Sequence, residues 1–186
     1  MRVRRARERL IAERLLREAG VFEPPVPIEA IVRSQSIQIV KRRFDDETSG
    51  FVHVDPTTKS AIIGLNISHS KTRQRFTLAH ELGHFSLHKN SDGLMYVDDR
   101  DFFVRFRNPH SSGGSDREER EANAFAAEIL MPKDFLERDI ETVGDELSLS
   151  AEHTFIAELA ARYGVSRQAL SFRLINLGLI DPAAFH

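Results

Sequence analysis

The chain contains no cysteine. Disulfides and thiolate metal sites are therefore excluded, and any metal must be held by histidine and carboxylate. No apolar run approaches the ~18 residues needed to cross a bilayer. The N-terminus is charged and helical in pattern, without the apolar core or small-residue cleavage site of a signal peptide, and reads as that of a cytoplasmic protein. An excess of either charge is also lacking: the formal net charge is −2, so no global basic field draws the chain to nucleic acid. Arginines crowd residues 2–17, but Glu8, Glu13 and Glu18 interleave with them.

What is present suffices for a real core. The 186 residues are 41% hydrophobic and 29% charged, which fits one domain of ordinary size with a small appended module. Residues 2–19 read as an amphipathic helix, with Val3, Ala6, Leu10, Ile11, Leu15 and Leu16 at near-helical spacing and Gly20 as its stop. Pro24, Pro25 and Pro27 make a stiff turn, and Pro27 opens a short helix that buries Ile28, Ile31 and Val32. The period then changes. IQIVKRRF (37–44), SGFVHVD (49–55) and SAIIGLN (60–66) predict a small antiparallel meander of three strands. A long helix follows over about 70–87. Residues 91–115 read as irregular, 116–131 as a second strong helix closed by Pro132, and the tail from Lys133 as further helices.

The stretch FTLAHELGHFSLH (76–88) carries the chemistry. His80-Glu81-Leu82-Gly83-His84 matches H-E-x-x-H. Residues four apart on a helix lie about 40° apart around the axis, one turn up, so both imidazoles can reach one tetrahedral ion. Glu81 falls a step further round, where a carboxylate can take a proton from water activated by that ion. Leu78, Leu82 and Phe85 form an apolar stripe on the other side, so the histidines stand apart from the main buried face. Gly83 costs ~1 kcal/mol against alanine in a helix, which a close approach by another element would explain. His88 continues the series but is not expected to ligate, because three histidines in a straight helical row span about 12 Å.

A third ligand is sought in SDREEREANAFAAEILMP (115–132). Ala122, Phe125, Ala126, Ile129 and Leu130 form a buried stripe. Glu118 and Glu119 fall on its edges, and Glu121 and Glu128 are read as pointing outward. Geometry alone leaves two carboxylates. A metal-site histidine usually donates its other N–H to an oxygen, and Glu119 has Asn123 at i+4 on the same side to accept it, whereas Glu118 has Ala122. Glu119 is therefore the expected ligand and Asn123 its supporting residue. Ala122, Ala126 and Ala127 would let this helix pack closely on Gly83.

Together, RQRFTLAHELGHFSLH (73–88) and EREANAFAAEILMP (119–132) resemble the paired hallmark of the ImmA/IrrE family of metallopeptidases. The resemblance covers roughly residues 28–132 well and the tail loosely. It implies an α+β, zincin-like fold, with a small sheet packed on the active-site helix and a metallopeptidase domain over 1–132. By resemblance to gluzincin peptidases, His80, His84 and Glu119 hold zinc and Glu81 is the base. Manganese or iron also suits two histidines and a carboxylate. The family's substrates are helix-turn-helix repressors of the phage-repressor type, whose cleavage derepresses genes for stress response, DNA repair or mobile-element transfer. Tyr96, Arg105, Arg107 and His110, between the two blocks, are candidates for stabilising the transition-state oxyanion.

Residues 133–186 read as a C-terminal helical region, in which 159–179 resembles a helix-turn-helix: Gly164 at the turn, Ser166 as N-cap and a second helix ending at Gly178. Arg167, Gln168, Ser171 and Arg173 are expected to be exposed there, and those residue types read bases. The few basic residues nearby disfavour direct DNA binding. Two other classes of function compete with a peptidase. One is a non-catalytic module, metal-clipped, that sequesters a repressor or a toxin–antitoxin partner. The other is a DNA-binding regulator using the tail. Glu81 favours catalysis, because a structural site needs no base.

Overall fold

The structure, a computed structural model, describes residues 2–45, 48–88, 95–98, 114–143 and 149–181. In chain order the elements are α1 (Arg2–Glu18), α2 (Ile28–Ser34), β1 (Ile37–Arg42), β2 (Gly50–Val54), β3 (Ala61–Asn66), α3 (Lys71–Leu87), β4 (Met95–Asp98), α4 (Gly114–Leu130), α5 (Lys133–Val143), α6 (Leu149–Tyr163) and α7 (Arg167–Leu177). The α+β class and the C-terminal helices are as expected.

The sheet is not the expected antiparallel meander of three strands. It has four strands in the order β1-β3-β2-β4. β1 runs parallel to β3, while β2 pairs antiparallel with both β3 and β4. The reason lies in β3. Its near-continuous apolar run AIIGLN suits a strand buried on both faces, and Ile63, Gly64, Leu65 and Asn66 are all buried. Such a strand belongs in the interior of the sheet, with β1 and β2 on either side. The buried Asn66 secures the β1–β2 connection: its amide donates to Asp45 O at 2.9 Å and Thr48 O at 2.8 Å and its Oδ1 accepts from Ser68 N at 3.0 Å.

Helix α3 runs against one face of this sheet. Ser70 caps it, its Oγ accepting from Arg73 N. The helix is buried on almost every side, with Leu78, Ala79, His80, Glu81, Leu82, Gly83 and His84 all enclosed. The histidine side is thus as buried as the apolar stripe, because α4 covers it. Close approach is built from small residues: a Cβ on Gly83 would lie 3.0 Å from Phe125 Cδ1 and 3.1 Å from Ala122 Cα. On the sheet side, a Cβ on Gly50 would come within 2.6 Å of Thr77 Cγ2, so only glycine lets β2 lie flush on α3.

Helix α1 packs on α4 and buries Ala12, Leu15 and Leu16. Leu10, read as part of its apolar face, is 64% exposed instead. Arg7 donates from α1 to Leu87 O at the end of α3, at 2.8 Å. The C-terminal helices share the core through Ile156, Leu159, Tyr163, Leu170 and Leu174. The turn between α6 and α7 has the expected form. Gly164 has φ +64°, Ser166 Oγ accepts from Ala169 N at 3.1 Å, and Gly178 closes α7 in the left-handed region.

Two arginines tie this pair to the rest. Arg75 of α3 donates to Gly164 O at 3.1 Å and to Val26 O at 2.9 Å. Arg173 of α7 grips Glu128 of α4 in a two-pronged ion pair at 2.9 and 2.6 Å and also donates to Met131 O. Arg173 is therefore buried rather than exposed, and Glu128 faces inward to meet it. Arg167 and Gln168 are exposed and Ser171 is half-buried.

Candidate metal centre

His80, His84 and Glu119 converge, with one potential ligand atom from each lying within 4.8 Å of the others. The helical spacing brings the two rings together edge to face, their planes 79° apart and His80 Nε2 standing 3.0 Å from His84 Nε2. The Gly83–Ala122 contact brings α4 close enough for Glu119, one turn before Ala122 and Asn123, to reach both. Its carboxylate straddles them, Oε2 at 3.4 Å from His80 Nε2 and Oε1 at 3.2 Å from His84 Nε2. Glu118 is not part of the group. Both histidines are 1% exposed.

Asn123 accepts from His80 Nδ1 at 2.6 Å. That bond places the ring proton on Nδ1 and leaves the Nε2 lone pair facing His84 and Glu119. The donor set fits a cation: buried nitrogen and carboxylate atoms point at one spot, in the protonation states that ligate. Burial pushes the His84 pKa down, against the partial opposition of Glu119. Burial alone would raise the Glu119 pKa, but its interactions with the adjacent His80 and His84 rings prevail and hold its carboxyl well below the usual carboxylate range. Neutral imidazole and ionised carboxylate are what a divalent metal needs.

Glu81 is fully buried. Its carboxylate lies on the β2 side of α3, with Oε1 at 3.8 Å from where a Gly50 Cβ would be. Gly50 was not singled out in the sequence. Its signal was the Ser-Gly step opening SGFVHVD, at a strand start where glycine is disfavoured unless a backbone must come close. His88 caps the end of α3, its ring centroid 5.6 Å from that of His84 and its Nε2 3.9 Å from Glu121 Oε2. Glu121, read as outward-facing, is instead turned toward His88 and bonded by Arg117 at 2.8 Å. Tyr96 lies in β4 opposite Val52. Arg105, Arg107 and His110 lie outside the described residues.

A motif helix crossed by a second helix that adds a carboxylate, set against a small mixed sheet, defines a protein of zincin-like fold with a His-His-Glu group able to hold a metal ion. The family follows from comparison with known proteins. The chain belongs to the peptidase M78 family, described as the IrrE N-terminal-like domain, which matches residues 32–175. It is 29% identical over 97 residues to uncharacterized immunity region protein 2 of Bacillus phage phi105, covering 52% of this chain and 53% of that one. It is similar in fold to a Mycobacterium tuberculosis transcriptional regulator, with a TM-score of 0.59 and 18% identity, covering 91% of this chain and 46% of the other. The chain thus spans about half the length of each of these two proteins. No helix among the described residues is long and apolar enough to cross a membrane.

Proposed function

We propose that the protein is a zinc-dependent endopeptidase that cuts a regulatory protein, a helix-turn-helix transcriptional repressor. The observation that carries this reading is the convergence of His80, His84 and Glu119, with Asn123 orienting His80 and the Glu81 carboxylate buried alongside. His80, His84 and Glu119 would hold the ion. When bound, zinc supplies Lewis acidity, making water acidic near neutral pH and polarising a peptide carbonyl. Glu81 takes the proton of the attacking water and hands it to the leaving amine. Enclosure between β2 and α3 strengthens these electrostatic interactions. Among the described residues β4 ends the sheet, one strand out from Gly50, and that edge would offer backbone pairing to an extended substrate.

The repressor as substrate class is supported by family membership and by the immunity-region name of the phage relative. The test incubates zinc-loaded protein, beside Glu81→Gln, with the helix-turn-helix repressor encoded nearest to it, and reads fragments by intact mass. Two discrete fragments from the wild type and none from Glu81→Gln are expected. An uncut repressor that co-elutes with the metal-loaded protein would replace this reading with that of a sequestering module.

A further inference from the structure

A cleft of about 200 Å³ opens where the C-terminal end of α1 meets the junction of α4 and α5. Leu16, Val21 and Phe22 wall it on one side, and Pro132 and Phe135 on the other. Leu16 and Pro132 are buried, and Val21 and Phe135 are half-buried. Phe22 is 66% exposed, yet its place is fixed. Val21 N donates to Leu16 O at 2.9 Å, and Phe22 O accepts from Arg138 at 2.8 Å. The Arg138 guanidinium also lies 5.0 Å from the Phe135 ring centroid. Phe22 thus holds an apolar face to solvent beside other apolar groups, as a docking surface does. A protein cavity of roughly 150 Å³ takes a benzene ring, so the cleft has room for one leucine or phenylalanine side chain.

The charges around the cleft give the sign of what fits. Its carboxylates are Glu13, Glu128 and Asp134, and its cations are Arg9, Arg17 and Lys133. Every carboxylate is already paired, Glu13 and Asp134 with Arg9 and Glu128 with Arg173. Lys133 is held by Glu137 at 2.6 Å. Arg17 is exposed and has no ion-pair partner among the described residues. Arg138, bordering Phe22, donates to the main-chain carbonyls of Asp134 and Phe22 and also lacks a carboxylate partner among the described residues. Glu23, next to Phe22 in the chain, is not in the wall. Two guanidinium groups at the mouth are therefore left without a counter-charge. A carboxylate entering beside an apolar side chain would match them, and a lysine would be repelled.

The cleft is separate from the metal group. Glu128, in its wall, follows Glu119 by nine residues on α4, which is about 13.5 Å along the helix.

We infer that this cleft docks an acidic segment of a partner protein, with one leucine or phenylalanine side chain seated against Phe22 and a neighbouring carboxylate on Arg17 and Arg138. The inference goes beyond the peptidase reading and stands without it.

The test titrates the whole zinc-loaded chain into three fluorescein-labelled peptides, DDLFDD, DDAADD and KKLFKK, each amidated at its end, and reads anisotropy. Wild type should bind DDLFDD and should bind the other two about 10-fold more weakly. The Leu16 and Val21 methyl NMR signals should move with DDLFDD. Phe22→Ala and Arg17→Glu change exposed residues, and melting temperatures should show both to be folded. Each should weaken DDLFDD binding by about 5- to 10-fold, and Arg17→Glu should bind KKLFKK more tightly than wild type does. Glu81→Gln should bind DDLFDD as wild type does, whether or not the wild type cuts a repressor. Equal binding of DDLFDD and KKLFKK, binding unaltered in both folded variants, or Leu16 and Val21 signals that stay still would each overturn the inference. Self-association of the chain in sedimentation, lost in Phe22→Ala, would also overturn it by making a second copy of the chain the occupant.

Discussion

Helix α3 is held on one flank by α4 and on another by the C-terminal pair, and the two joints are built from opposite materials. Against α4 the contact is backbone on backbone, through Gly83 and Ala122. Against the C-terminal pair it is a long side chain, Arg75, reaching the main-chain carbonyls of Gly164 and Tyr163; a second arginine, Arg173, pins α7 to α4. The difference follows from what each joint must fix. The metal group depends on Glu119 meeting two imidazoles at 3.2 and 3.4 Å, a tolerance that packed small residues give and flexible stems do not. The tail needs attachment, and an arginine fork supplies that across a longer gap.

This contrast can be broken most forcefully at Arg173. Arg173→Met leaves Glu128 buried without its partner and should destabilise the fold by roughly 3–5 kcal/mol in urea unfolding. Adding Glu128→Leu should recover most of that loss, because the stranded charge is then gone. A double variant as unstable as the single one would mean that packing, not charge, fixes α7.

Gly83→Ala addresses the tight joint. The new methyl must push Phe125 or α4 by a few tenths of an ångström, costing about 1–3 kcal/mol. It should also weaken zinc affinity, measured by competition with a chelating dye, because Glu119 moves with α4. Asn123→Ala separates metal positioning from packing: zinc affinity should fall by about 10- to 100-fold while the melting temperature without metal changes little. Equal zinc affinity would remove Asn123 from the orienting role. At the small end, Arg14→Ala breaks a pair with Glu18 at 3.7 Å that is exposed at both ends, and unfolding should change by no more than about 0.5 kcal/mol.

The sequence was most readable where structure is local. H-E-x-x-H spacing, the Ser70 start of α3, the Gly164 turn and the Ser166 cap all depend on residues a few positions apart, and each stands where periodicity and capping put it. Gly83 also announced its neighbour, since an interior glycine calls for a close approach. Illegible features depend on partners far away in the chain. Strand pairing is one: short β-rich runs in sequence order suggest a meander, and only the doubly buried character of β3 argues for a central position. Arg173 and Glu128 are another. Each reads as an outward charge on its own helix, and only the packing of α7 on α4 turns the two faces toward each other. Leu10 errs the other way, because α1 presents Ala12, Leu15 and Leu16 to the core and leaves a leucine in water.

Arg75 has one more consequence, for how freely the tail can vary. Its acceptors are the carbonyls of Gly164, Val26 and, at 3.4 Å, Tyr163, groups that every amino acid carries. The joint thus reads the path of the chain and ignores most of the letters written along it. Only position 164 is dictated, because its φ is +64° and a Cβ there would sit 2.9 Å from Arg75 Nε. Around that one glycine, the solvent-facing residues of α6 and α7 are available for redesign without loosening the attachment, which makes this end of the molecule an interchangeable part on a fixed mount.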